Sequence, residues 1–346
     1  MRIKFLYLAA SKILAVGLVA CSEPQNTSVN NSVSIQSNES AMSEKSDFST
    51  VATNPFLEES PLILHYPQFD LIQTSHYLPA FQRGMADQLA EIEAISNQGG
   101  DPDFENTIIA LELSGQLLDR VSKVFFSMSS AHTNDEIRSL QQQLAPQLAT
   151  HSDAILLNRA LFARIQTLFD QRQELPLEPE ALRLLEQYHL DFVRAGAALT
   201  ELEQDRMREI NAEMATLQTQ FSQNVLSEVN DLAIVVDTEE EMAGMDDALK
   251  QAASEEAAER GLPGKYVIPL LNTSGQPALA SLQNRSVRQR IFETSLSRGN
   301  RGGDFDNRDV LSKVLSLRAE RAALLGFANH AEFILANQTA QTVEAV

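Results

Sequence analysis

The stretch Ser281–Phe333 reads SLQNRSVRQRIFETSLSRGNRGGDFDNRDVLSKVLSLRAERAALLGFANHAEF. It has the pattern of a helix, a loop rich in Gly and Arg from Arg298 to Arg308, and a second helix that stops at Gly326. A glycine just past a periodic run is a helix stop because it enters the left-handed conformation without steric cost. Arg285, Arg288, Arg290, Arg298 and Arg301 concentrate positive charge here, with Glu293, Asp304 and Asp306 among them. Internal ion pairing is the plain reading of that mixture. The alternative is contact with an anion or a peptide carboxylate, which the forked guanidinium donors suit.

Outward from this stretch the chain is helical. Upstream, Leu232–Val236 and Lys265–Leu270 are short β-type runs, the second bounded by turn residues, and they predict a small ribbon at about 232–237 and 265–271. Between them Asp246 to Arg260 has helical character. The long run Ala181 to Asn230 predicts two helices broken near Ala195-Gly196 or Thr200. Further back, helices are predicted from Thr74-Ser75 to Gly99-Gly100, over Phe104–Met128, over Asn134–Thr150 and over Ala154–Leu175. Pro61 to Ile72 reads as extended, with Tyr66 and Phe69 tucked onto the domain. No repeat of fixed period is present, so a regular solenoid is not supported. The fold class that emerges is mainly α with one β-ribbon, in a structured part spanning 54–346.

Composition agrees. Apolar residues make up 43% of the 346 residues, there is no Trp, and Gly and Pro are sparse, a profile that favours helix. The net charge of −20 sets nucleic acid aside as a partner, since phosphate binding needs a basic face.

The first twenty residues carry Arg2, Lys4 and Lys12, no acid, and an apolar run at Ile13–Ala20 too short to span a bilayer. They end in Leu18-Val19-Ala20-Cys21, which resembles the lipobox of bacterial lipoproteins, where the cysteine becomes the lipidated first residue. Cys21 is the only cysteine, so no disulfide forms within the chain and a thiol stands where lipidation needs one. Residues 1–20 are thus expected to be a lipoprotein signal peptide. Residues 21–53, rich in Ser, Asn and Thr, are read as a flexible tether. The location implied is the bacterial cell envelope, lipid-anchored at the periplasmic face of the outer membrane, because Ser22 follows the cysteine; contact with membrane is through the lipid only.

No catalytic motif is legible. None of the six histidines is followed by Glu, so H-E-x-x-H is absent, and no two lie three or four residues apart on one helix face. G-x-S-x-G, a Walker A loop and a spaced G-x-G-x-x-G are absent too. His330 is read as a helix-surface residue. Glu239-Glu240-Glu241 and Glu255-Glu256 are read as solvated helix ends or faces. No residue is assigned a catalytic or metal-binding role.

A series of short motifs nonetheless resembles the M3 family of zinc metallopeptidases, the thimet oligopeptidase and oligopeptidase A family. They are Asn54-Pro55-Phe56, His76 to Phe81, Phe104 to Thr107, Phe221 to Val225, Gly264 to Leu270 and Gln276 to Leu279. Within the opening stretch they are Arg285-x-x-Arg288, Arg298-Gly299, Asp306-Asn307, Leu317 to Glu320 and Leu324 to Phe327. The earliest of them look most like the bacterial peptidyl-dipeptidase (Dcp) branch. The resemblance implies the N-terminal half of such an enzyme: one wall of a deep cleft between two helical halves, admitting short unfolded peptides. In complete members, monomeric by the same resemblance, zinc activates a water with the motif Glu as base, and Dcp-like members release C-terminal dipeptides. Those ligands lie in the half that has no counterpart here, so no position inherits them, and the chain by itself is expected to be inactive. Gln341–Val346 reads as the start of a further helix capped by Thr342, consistent with a truncated chain. A half-enzyme of this kind is expected to expose apolar surface. The competing reading is a non-catalytic exported lipoprotein that binds peptides or a partner protein.

Overall fold

The computed structural model describes residues 54–271 and 276–346. The signal peptide, Cys21 and the tether expected over 1–53 lie outside the described residues. Two compact units are present, divided between Leu140 and Gln141.

In the first unit, helix α1 (Thr74–Asn97) lies against α3 (Gln116–Ala131). Gly84 makes that approach possible: a Cβ built there would stand 2.9 Å from the backbone of Leu118. The core between them is aromatic, with Phe125 edge-on to Phe81 at 5.4 Å and to Tyr77 at 5.1 Å between ring centroids. The Asn54-Pro55-Phe56 motif ties the start of the domain to this pair. Asn54 Nδ2 donates to the His76 carbonyl at 2.8 Å, Phe56 is buried on Tyr77, and Arg120 donates to the Phe56 carbonyl.

The helix expected over 104–128 is divided. Phe104–Ile109 is a π-helical turn, Ala110–Glu112 forms the short α2, and the chain breaks at Gly115, whose φ is 71°. The apolar spacing conceals the break because it runs on through it. Asp103 and Asn106 cap the π-turn reciprocally, Asn106 N donating to Asp103 Oδ1 at 2.6 Å and Asp103 N to Asn106 Oδ1 at 3.1 Å.

Helix α4 (Asp135–Leu156) runs through the break expected after Thr150. The polar residues His151 and Asp153 suggest a loop there, yet both are buried in the helix interior. α5 (Arg159–Asp170) starts at Asn158, whose side chain accepts from Leu161 N at 2.9 Å. Tyr66 and Phe69 are a further correction: they pack on one another at 5.7 Å rather than onto a core, and Tyr66 is 60% exposed.

In the second unit α5 pairs with α6 (Pro179–Ala195), and α7 (Glu201–Asp231) follows a Gly196 in the left-handed conformation and a Thr200–Glu203 capping box. The break expected at 195–200 is therefore present. Strands β1 (Ile234–Val236) and β2 (Tyr266–Ile268) pair antiparallel, Val235 opposite Val267, which confirms the ribbon. Between them lies α8 (Asp247–Glu259), with Asp246 as its cap. The ribbon is buried against Leu282, Val287 and Ile291, which flank and line α10 (Arg285–Leu296) after the single turn α9 (Ala278–Ser281). α11 (Arg308–Leu324) returns to pack on α7 through Ile210, Met214 and Leu317. α12 (His330–Leu335) is short, and 341–346 forms turns, with Ala345 N donating to Thr342 Oγ1 at 3.3 Å instead of opening a helix. The architecture is mainly α with one two-stranded ribbon.

Candidate functional site

Motif residues far apart in sequence converge where the loop 298–307 meets α7. Asn307 is 4% exposed and stands at the centre. Its Nδ2 donates to the Phe221 carbonyl at 3.1 Å, its Oδ1 accepts from Asn224 Nδ2 at 3.0 Å, and its backbone N donates to the Gly299 carbonyl at 2.9 Å. Glu228, also buried, accepts the Gly299 N–H through Oε2. A buried carboxylate needs such a donor. Gly299 has φ 69°, and a Cβ built on it would stand 3.5 Å from that of Asn307, so the left-handed backbone is what brings the loop onto α7.

The loop's outer end closes on itself. Asp306 accepts from Gly302 N at 2.6 Å and pairs with Arg308 at 2.8 Å. The hydrogen bond from the Arg308 guanidinium, backed by the Arg308 and Gly302 amides, holds the Asp306 carboxyl down at about 2. Arg301, Gly302, Gly303 and Asp304 form the exposed rim.

The arginines do not form the ion pairs expected with Glu293, Asp304 and Asp306. Arg288 donates to the Leu282 carbonyl at 2.9 Å, Arg290 to the Val235 carbonyl at 2.7 Å, and Arg298 to the Leu271 carbonyl at 2.9 Å. Leu271 is also gripped by Gln276, which accepts its N–H at 3.0 Å and donates to its carbonyl at 2.9 Å. Glu293 is instead taken by Gln289 at 2.7 Å. These arginines brace backbone by donating to its carbonyls, and Arg285 lies exposed. Of the acidic runs, Glu239 reaches Lys250 at 3.3 Å, Glu241 caps the chain at Thr238, and Glu256 pairs with Arg260 at 2.6 Å.

His330 is not a surface residue. It is half-buried beside Phe333, with ring centroids 6.0 Å apart, and its basicity is lowered by burial and then by Arg321 and Arg318. Arg194, from α6, joins the same group by donating to the Phe333 carbonyl at 2.7 Å. This assembly carries no sequence signal, since Arg194 on α6 lies more than a hundred residues before its neighbours on α11 and α12. Glu228 was equally invisible, one acid among 47 Asp and Glu.

Chemically, the loop anchor presents no nucleophile and no general base. What it does is fix a glycine loop on a helix. Among the described residues no group of three or more His, Cys, Asp or Glu side chains is placed to hold a metal ion, and no helix there is long and apolar enough to cross a membrane.

Residues 278–346 match the family model described as Peptidase family M3. The chain is 43% identical over 295 residues to the dipeptidyl carboxypeptidase of Salmonella typhimurium, a match covering 85% of this chain and 43% of that protein. It is 42% identical over 292 residues to the dipeptidyl carboxypeptidase of Escherichia coli, covering 84% of this chain and 43% of the relative. Identity to the oligopeptidase A of Haemophilus influenzae is 29% over 300 residues, with 85% and 43% covered. The higher identity is to the branch that the earliest motifs indicated. The chain spans less than half the length of these curated relatives.

Proposed function

We propose that this protein, which matches the Peptidase family M3 model over residues 278–346 and is 43% and 42% identical to two dipeptidyl carboxypeptidases, is the substrate-confining part of a zinc-dependent peptidyl-dipeptidase. The carrying observation is the collinear 43% identity over 295 residues to a dipeptidyl carboxypeptidase. On this reading the substrates are short unfolded peptides and the product is a C-terminal dipeptide. The residues present do not fit a zinc ion: the sequence has no H-E-x-x-H, and no described cluster could ligate one. The role of this chain is then to form the wall that its helices build, with the 298–307 loop held in place by Glu228 and Asn307. Hydrolysis depends on residues outside it. We further propose that Cys21 is lipidated and tethers the domain to the cell envelope.

Two assays test this. The purified chain with added zinc should leave a blocked tripeptide intact. Joined to the unmatched portion of the Salmonella dipeptidyl carboxypeptidase, it should release C-terminal dipeptides in a chelator-sensitive reaction. Robust chelator-sensitive turnover by the chain alone sinks the proposed division of labour. A folded but inactive fusion would count against the peptidase reading, and saturable peptide binding by the chain alone would then favour a non-catalytic binding protein. For the anchor, growth with a radiolabelled fatty acid should label the wild type and leave Cys21→Ser unlabelled; equal labelling of the two removes the lipid proposal.

A further inference from the structure

Around Phe333 the second unit gathers positive charge with no acid, among the described residues, at ion-pair distance. Arg194 and Arg321 share the Phe333 ring, their guanidinium carbons 4.3 Å and 5.2 Å from its centroid. Arg318 lies one turn before Arg321 on α11, near enough that its charge, like that of Arg194, weakens the hold of Arg321 on its proton; burial is the larger cause. The Nε atoms of Arg318 and Arg321 and the Nδ1 of His330 are buried and have no hydrogen-bond partner.

Each nearby acid is committed elsewhere. Asp191, on α6, attracts Arg194 from beyond ion-pair distance while accepting from Gln187 at 2.8 Å. Glu320 holds Arg206 at 2.6 Å. Glu332 is occupied with Asn329 and the Ala328 N–H at the start of α12. Among the described residues none of the three arginines forms an ion pair. Two cations on one ring and a third one turn away, with buried donors unused, is an arrangement that costs stability unless an anion completes it.

We propose that Arg194, Arg318 and Arg321, with His330 beside them, form an anion site whose ligand is a carboxylate. Forked guanidinium donors match a planar carboxylate two bonds at a time. A net charge of −20 repels a multiply charged phosphate at long range more than it repels a single carboxylate. The carboxylate comes either from the terminus of a peptide or from an Asp or Glu side chain of further polypeptide. The site stands independently of the peptidase reading.

The test follows the His330 ring by NMR in the full 346-residue chain, its signal identified by loss in His330→Gln. Titrations at constant ionic strength use succinate, acetyl-Ala-Ala as the free acid, and the same peptide as its amide. An anion that neutralises the arginines should raise the His330 pKa by roughly half a unit or more. In Arg321→Gln the pKa should start higher and respond less. Arg318→Gln gives the same readout if Arg321→Gln does not fold. A response to succinate and the free acid but not to the amide assigns the site to peptide termini. A response to succinate alone assigns it to side-chain carboxylates of further polypeptide. The proposal is overturned if His330 is unmoved by all three, if the amide acts as strongly as the free acid, or if the variants respond like the wild type.

Discussion

Asp153, 6% exposed on α4, accepts one hydrogen bond from Asn211 at 2.7 Å, and its second oxygen has no partner. Burial pushes its pKa up to about 6, against the opposing pull of Asn211 and Arg208. The folded carboxyl therefore keeps its proton over a range in which the unfolded one, near 3.8, releases it. Below the unfolded value it contributes no pH-dependent penalty; between about 4 and 6 the folded state loses ground, and above that the loss is constant. Relative to Asp153→Asn, the wild type should lose on the order of 2–3 kcal/mol between pH 4 and pH 7. Parallel pH profiles of chemical denaturation for the two proteins would refute it. The comparison between variants is needed because His151, buried nearby in sequence with its pKa lowered, works in the opposite direction as pH falls. Gly84 makes a second point at this scale. An alanine there gains roughly 1 kcal/mol of helix propensity, but its Cβ meets Leu118 backbone rather than a side chain able to turn aside. Gly84→Ala should therefore destabilise by about 1–2 kcal/mol net, seen as a lower denaturation midpoint with unchanged slope; a raised midpoint would show that α1 and α3 can separate freely.

Among elements, the loop 298–307 depends on few contacts, and Asn307 provides most of them. Replacing it by Ala removes the bonds to Phe221 and Asn224 and leaves the half-buried Asn224 amide without its acceptor, at a cost of roughly 1–2 kcal/mol. Hydrogen exchange at the Gly299 amide should speed up more than that in the middle of α11; uniform acceleration would mean that the loop has no independent anchor. The same elements show what the sequence could and could not convey. Both strands, the break at Gly196 and the stop at Gly326 were legible because each has a local cause in β-branched alternation or in glycine's freedom. Gly115 was missed because apolar spacing continues across it. The run through His151 and Asp153 was misread because polar residues in a helix interior look like a loop until their burial is known. Glu228 and the arginines at Phe333 owe their surroundings to tertiary contacts between distant helices, which no local pattern encodes.

For the whole molecule, the M3 resemblance was legible because its motifs are the residues that lock the fold: Asn54, Asn106, Gln276 and Asn307 all tie backbone to backbone through a side chain. Apolar side chains also remain uncovered. Phe292 and Leu296 on α10, and Leu311 and Leu315 on α11, are each four apart and largely exposed. The full chain should bind a hydrophobic dye, and the Leu296→Gln, Leu315→Gln pair should bind clearly less at nearly unchanged stability; equal binding would place the dye elsewhere. The packing of α11 on α7 has one more consequence, in the timing of synthesis. Met214 finds Leu317 only after the ribbon, α8 and α10 have been made. At about 5–20 residues per second that is an interval of roughly five to twenty seconds. Throughout it Ile210 and Met214 lack the cover that Leu317 gives them, so the newborn chain is expected to present an apolar segment to a holdase before that contact forms.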